Sequence, residues 1–272
     1  IALLGGAYVR VGDWENAAAA FSDAVVLDPD NANLLRETAR ALLVSGRLDE
    51  AAQRYAELNQ LEPTDPVAHL RIGPIERLRL SFDVARNHLE AARELLPDSP
   101  EILFDLTCLE RDEGNFEESL SQLEQLLADT EQPNGRYTEG ERGNRRTFMT
   151  NVALLQTRLE AYDDAVETFE QMKNLTSNRD GSIDSYIVET YQTAGRVDRA
   201  LEVCNEALDA FPGNGQLRLQ RADLIAEQGR VDAALELLEA MAAAEENNFG
   251  VYSTMFAIYE RTRNYAEAED VL

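Results

Sequence analysis

Apolar residues recur along this chain at spacings of three and four in stretches of about a dozen residues, and a proline closes alternate stretches at a constant interval. Pro29, Pro63 and Pro97 stand 34 residues apart. A spacing of three or four keeps side chains on one face of a helix, and a turn halfway through each interval divides it into two antiparallel helices. The first interval carries Leu4, Gly5, Tyr8, Gly12, Trp14, Ala17, Phe21, Ala24 and Pro29. Stepping 34 residues gives Thr38, Ala39, Leu42, Gly46, Leu48, Ala51, Tyr55, Leu58 and Pro63, so small and large residues keep their places. The pattern predicts helix pairs over 2–11 and 14–27, 32–44 and 48–61, 66–78 and 82–95, 100–112 and 116–129, 147–159 and 162–174, 182–193 and 197–210, 216–228 and 231–244, and 249–261 and 265–272.

Turn chemistry supports these boundaries. Asp65-Pro66 and Ser99-Pro100 each offer a capping side chain followed by proline at the first helical position. Gly46, Gly114, Gly195 and Gly229 suit a left-handed residue between two helices. Three places depart from the period. Residues 130–146, TEQPNGRYTEGERGNRR, are polar, glycine-rich and longer than the period allows, which predicts a mobile surface loop ending in the basic cluster Arg142, Arg145 and Arg146. Gly73-Pro74 falls inside a predicted helix, where proline removes the amide that bonds the Leu70 carbonyl, so a kink or break is expected there, either as a neutral irregularity or as a device that exposes that carbonyl in a binding groove. Finally, Ser177 and Glu246 stand where proline closes the other units.

This arrangement closely resembles the tetratricopeptide (TPR) family, with a small residue at one helix crossing in all eight units: Ala17, Ala51, Ala85, Ser119, Ala165, Ala200, Ala234 and Ala268. The resemblance implies an all-α, right-handed α-solenoid of about eight helix-turn-helix repeats, approximately 1–31, 32–65, 66–99, 100–129, 147–180, 181–214, 215–248 and 249–272, forming a single array interrupted by the 130–146 insertion. The chain begins and stops inside repeats, so a fragment of a longer repeat protein is expected.

The net charge of -26 argues against nucleic acid, whose phosphates need clustered cations, and against an anionic membrane surface. No apolar stretch is long enough to span a bilayer. Of 25 basic residues Lys173 is the one lysine. Cys108 and Cys204 lie in units four and six, too far apart for a disulfide, and Cys204 falls on a core position. The compartment, cytoplasmic or bacterial periplasmic, is left open.

In the family the first helix of each repeat lines a concave surface. Carried over by position, the resemblance places Asn33, Arg36, Arg40, Arg77, Phe104 and Arg111 there in the early units, with Leu70, Pro74 and Cys108, and then Arg158, Glu189, Asp223, Glu227 and Glu260. Arginines dominate the first five units and suit an acidic or carboxylate-bearing segment, because the guanidinium forms a fork on carboxylates. Acids dominate the last three and suit basic residues. The competing expectation is that the arginines pair with neighbouring acids such as Glu37, Glu76 and Glu110. Neither the carboxylate clamp for chaperone tails nor an asparagine ladder is present in the sequence.

Chemistry is sparse. His69 and His88, the two histidines, lie one on each helix of unit three without metal-ligand spacing, and no HExxH, CxxC or Walker loop occurs. No enzyme, cofactor or metal is expected. The sequence points to a non-catalytic scaffold that binds a protein or peptide in the groove. The alternatives are a regulatory or assembly arm of a longer protein, and a module that self-associates through uncapped ends.

Overall fold

A computed structural model describes residues 1–176, 179–244 and 248–271. Ser177 and Glu246, two of the proline replacements, lie outside the described residues. Among those described there are 16 helices and no strand. They fall into two compact units, Ile1–Thr130 and Glu131–Leu272.

The first unit holds four pairs: α1 (Ala2–Val11) and α2 (Trp14–Leu27), α3 (Ala32–Val44) and α4 (Leu48–Leu61), α5 (Pro66–Leu78) and α6 (Phe82–Leu95), α7 (Pro100–Asp112) and α8 (Phe116–Asp129). The second holds α9 (Glu139–Arg158) and α10 (Tyr162–Lys173), α11 (Ser182–Thr193) and α12 (Val197–Ala210), α13 (Gly215–Glu227) and α14 (Val231–Ala244), α15 (Phe249–Arg261) and α16 (Tyr265–Val271). Within each unit every helix packs on its neighbours in the chain.

The period reappears in the backbone. The residue linking the two helices of a pair takes positive φ at Gly12, Gly46, Leu80 and Gly114 in the first unit, and at Glu160, Gly195, Gly229 and Arg263 in the second. In all eight pairs this residue and the one after it repeat the same hydrogen bonding, as at Gly46 N–H to the Leu43 carbonyl and Arg47 N–H to the Leu42 carbonyl. Three of the eight positions carry a side chain in a region that disfavours one.

The core follows from the small-residue positions. Ala17, Ala51, Ala85, Ser119, Ala165, Ala200 and Ala234 are fully buried. On the facing helix a second small residue admits a large one. A methyl group added to Gly5 would stand 2.7 Å from the Phe21 ring, and one added to Gly73 would stand 2.6 Å from Leu89. That approach explains Gly73-Pro74. Contrary to the expected break, α5 runs as a helix from Pro66 to Leu78 with Pro74 inside it. Its neighbours Ile72, Gly73 and Ile75 are buried, and tertiary packing of this kind outweighs one missing backbone hydrogen bond. Leu70, expected in the groove, is also buried, packed with Leu89, Ile102 and Leu106. Cys108 is buried likewise.

The insertion is the second correction. Its loop ends at Thr138, and α9 starts at Glu139, eight residues before the predicted start. A reciprocal cap holds that start: the Glu141 amide donates to Thr138 Oγ1 at 3.3 Å, and the Thr138 amide donates to Glu141 Oε2 at 2.7 Å. Arg142, Arg145 and Arg146 therefore lie on a helix and not on a loop tail. The Arg145 guanidinium lies 4.9 Å from the Tyr137 ring centroid.

Candidate functional sites on the first-helix faces

In the first unit the candidate residues sit on α3, α5 and α7, and the structure gives most of them internal partners. Arg36 donates from Nη2 to Asp65 Oδ2 at 2.6 Å and to Glu62 Oε2 at 2.9 Å, and from Nη1 to Asn33 Oδ1 at 2.8 Å. Asp65 is itself the cap of α5, accepting from the Val67 amide at 2.8 Å. One guanidinium thus ties α3 to the start of the next pair's first helix. The Asp65 hydrogen bond is also the main cause that raises the Arg36 pKa.

Arg40, one turn on, points the other way. It is exposed, and its guanidinium lies 5.5 Å from the Trp14 ring of the preceding pair, a cation–π arrangement. Arg77 and Arg111 do come together, but on a shared carboxylate. Both bond Asp112, Arg111 through Nε at 3.0 Å and Nη2 at 2.9 Å. The Arg77 side chain is only 16% exposed. Phe104 is half-buried on α7. The acids that sequence proximity suggested for these arginines serve others: Glu76 pairs with Arg79, and Glu110 with Arg86.

Asp105, on α7 beside this cluster, escaped the sequence reading. Burial, and then the Glu101 charge, push its carboxyl up to about 6. The nearby cations that oppose the shift, Arg77 and Arg71, are already engaged by Asp112 and Glu101.

In the second unit α11, α13 and α15 pack side by side and line an open cleft of about 470 Å³. Ser185 and Gln220 lock two of these helices together: Ser185 Oγ donates to Gln220 Oε1 at 2.8 Å, and Gln220 Nε2 donates to the Ser185 carbonyl at 3.0 Å. Across the cleft Gln192 Nε2 donates to Asp223 at 2.7 Å and to Glu227 at 2.9 Å. Arg261 bonds the same two carboxylates, at 2.8 and 3.3 Å. Glu189 lines the cleft and is exposed. Glu189 and Asp223 therefore share one site. Arg158, exposed in the last turn of α9, does not line that cleft. Arg261 was absent from the expected set, although it stands 34 residues after Glu227, at the repeat interval.

Successive antiparallel helix pairs, whose first helices also pack on one another within a unit, define a helical-repeat protein. The sequence matches the tetratricopeptide repeat family over residues 3–66 and again over 191–253. The chain carries tetratricopeptide repeats in both units. The TPR repeat-containing protein YpiA of Bacillus subtilis is 20% identical over 97% of this chain and 68% of its own length. Tetratricopeptide repeat protein 21A of mouse is 28% identical over 43% of this chain, which spans only 9% of that protein. Among solved structures, a tetratricopeptide repeat protein of Parabacteroides merdae superposes with a TM-score of 0.66 at 16% identity, covering 93% of this chain and 95% of the other. Pseudomonas aeruginosa pilF gives 0.57 at 14% identity, covering 83% and 96%. At these identities the structural likeness shows the fold.

Proposed function

We propose that the protein is a non-catalytic scaffold that takes an extended protein segment against its first-helix faces, and that the cleft of α11, α13 and α15 receives a basic side chain of that segment. The cleft carries the proposal, because Glu189 and Asp223 line it beside Arg261, whose guanidinium also bonds Glu227. Glu189 is the accessible acid. Gln192 and Arg261 hold Asp223 and Glu227 in place, so an arriving cation meets carboxylates already oriented. In the first unit the arginines act mainly as staples, and an acidic segment has the exposed Arg40 to meet.

Fluorescence anisotropy with labelled ten-residue peptides tests this reading. Arginine-containing peptides are expected to bind, to weaken as salt rises, and to bind several-fold more weakly to Glu189→Gln, a change at an exposed position that leaves the fold intact. Equal binding by the variant, or equal binding of glutamate-containing peptides, refutes it. A second reading, the arm of a longer protein, is favoured by relatives of which this chain spans a small share. These are the mouse protein at 9% and the TPR repeat-containing thioredoxin TTL4 of Arabidopsis thaliana at 12%.

A further inference from the structure

His69 on α5 and His88 on α6 stand with their Nδ1 atoms 3.0 Å apart, ring centroids 5.1 Å apart and ring planes tilted by 44°. On its other side, His69 Nε2 lies 3.3 Å from the Pro63 carbonyl oxygen. A carbonyl only accepts, so that contact puts a hydrogen on Nε2 and, in the neutral ring, leaves the Nδ1 lone pair free to face His88. A backbone carbonyl holding the remote N–H is the usual support of a metal-ligating imidazole.

The spacing fits as well. Two nitrogens bound at about 2.0–2.1 Å to one cation stand about 2.9 Å apart at a right angle and about 3.4 Å apart at a tetrahedral angle. We propose that His69 and His88 form a two-imidazole site for a borderline divalent transition cation, of the class of Zn²⁺ or Ni²⁺, with water in the remaining positions. The cation replaces the hydrogen between the rings: His88 transfers its Nδ1 proton to its own Nε2 by way of solvent, both Nδ1 lone pairs turn to the metal, and no net proton is released. Among the described residues no group of three or more His, Cys, Asp or Glu is placed to hold a metal. Glu76, whose charge acts on His88, has its carboxylate 2.5 Å from Arg79. The site is therefore open and exchangeable, not a closed structural one. A bound cation would tie together the two helices of the pair whose first helix contains Pro74.

The test uses the full chain at pH 7.5 with ZnCl₂ and NiCl₂ by titration calorimetry. MgCl₂ serves as the control for hard cations collecting on an acidic surface. Saturable 1:1 Zn²⁺ binding, at least tenfold weaker in each of His69→Gln and His88→Gln, is expected, with no matching response to Mg²⁺. Because these are the only two histidines, the ultraviolet absorbance of carbethoxylated imidazole formed by diethylpyrocarbonate in the unaltered protein reports them alone, and Zn²⁺ should slow its appearance at least severalfold. Equal Zn²⁺ affinity in both variants, no saturable binding by the unaltered chain, or modification at the same rate with and without Zn²⁺ overturns the proposal.

Discussion

Replacing Asp105 by asparagine should stabilise the first unit, and the gain should depend on pH. The carboxyl is raised from an ordinary 3.8 to about 6, first by burial and then by Glu101. A carboxyl with a raised folded pKa binds more protons folded than unfolded between those two values. Its effect is therefore absent below about pH 4, and stability falls as pH climbs through that window. At about 1.4 kcal/mol per unit the interval corresponds to a cost of about 2–3 kcal/mol at pH 7.5, and about half of that at pH 5. Asparagine keeps the shape and removes the charge. Because repeat proteins open in parts, hydrogen exchange over residues 100–112 is the direct assay, with urea unfolding at pH 5 and 7.5 as its global counterpart. Asp105→Asn should slow exchange along α7 at pH 7.5 and raise the urea midpoint, with a smaller gain at pH 5. A variant no more stable than the parent at pH 7.5, or equally stabilised at both pH values, refutes the argument.

Two other changes test the framework of the repeats. Leu80→Gly should gain about 1 kcal/mol by relieving positive φ at an exposed turn, whereas Gly46→Ala at the equivalent turn should lose a similar amount; thermal melts of the pair with unchanged order would contradict the strain account. Asp65→Ala removes both the α5 cap and the nearest partner of Arg36, and should cost about 2–3 kcal/mol. Here a double-mutant cycle with Arg36→Ala should show coupling above about 1 kcal/mol, and additive losses would mean that the staple contributes nothing.

The helix pairs were legible because two signals coincide, an apolar stripe and a turn residue that recurs every 34 positions through the first unit and again, within a residue, through the second. Even where Leu80, Glu160 and Arg263 replace glycine, the flanking stripes held the register. The start of α9 was missed because residues 139–146 carry no apolar stripe. The readable signal was local, Thr138 three residues before Glu141, a reciprocal cap that needs no core. Placing the arginines on first helices was likewise within reach of the sequence, but their partners were sought among adjacent residues. In stacked pairs the nearest surface belongs to the next repeat, so partners lie about one period away. Arg36 reaches Asp65, Arg71 reaches Glu101, Arg77 reaches Asp112, Arg196 reaches Asp163 and Arg261 reaches Glu227. Each is a long side chain spanning a junction that the apolar core alone leaves open at its rim. In a chain with twice as many acids as bases, an arginine that faces the neighbouring repeat finds a carboxylate there by composition alone. Arg40, which lies over Trp14, is a first-helix arginine that meets an aromatic ring of the preceding repeat and not a carboxylate.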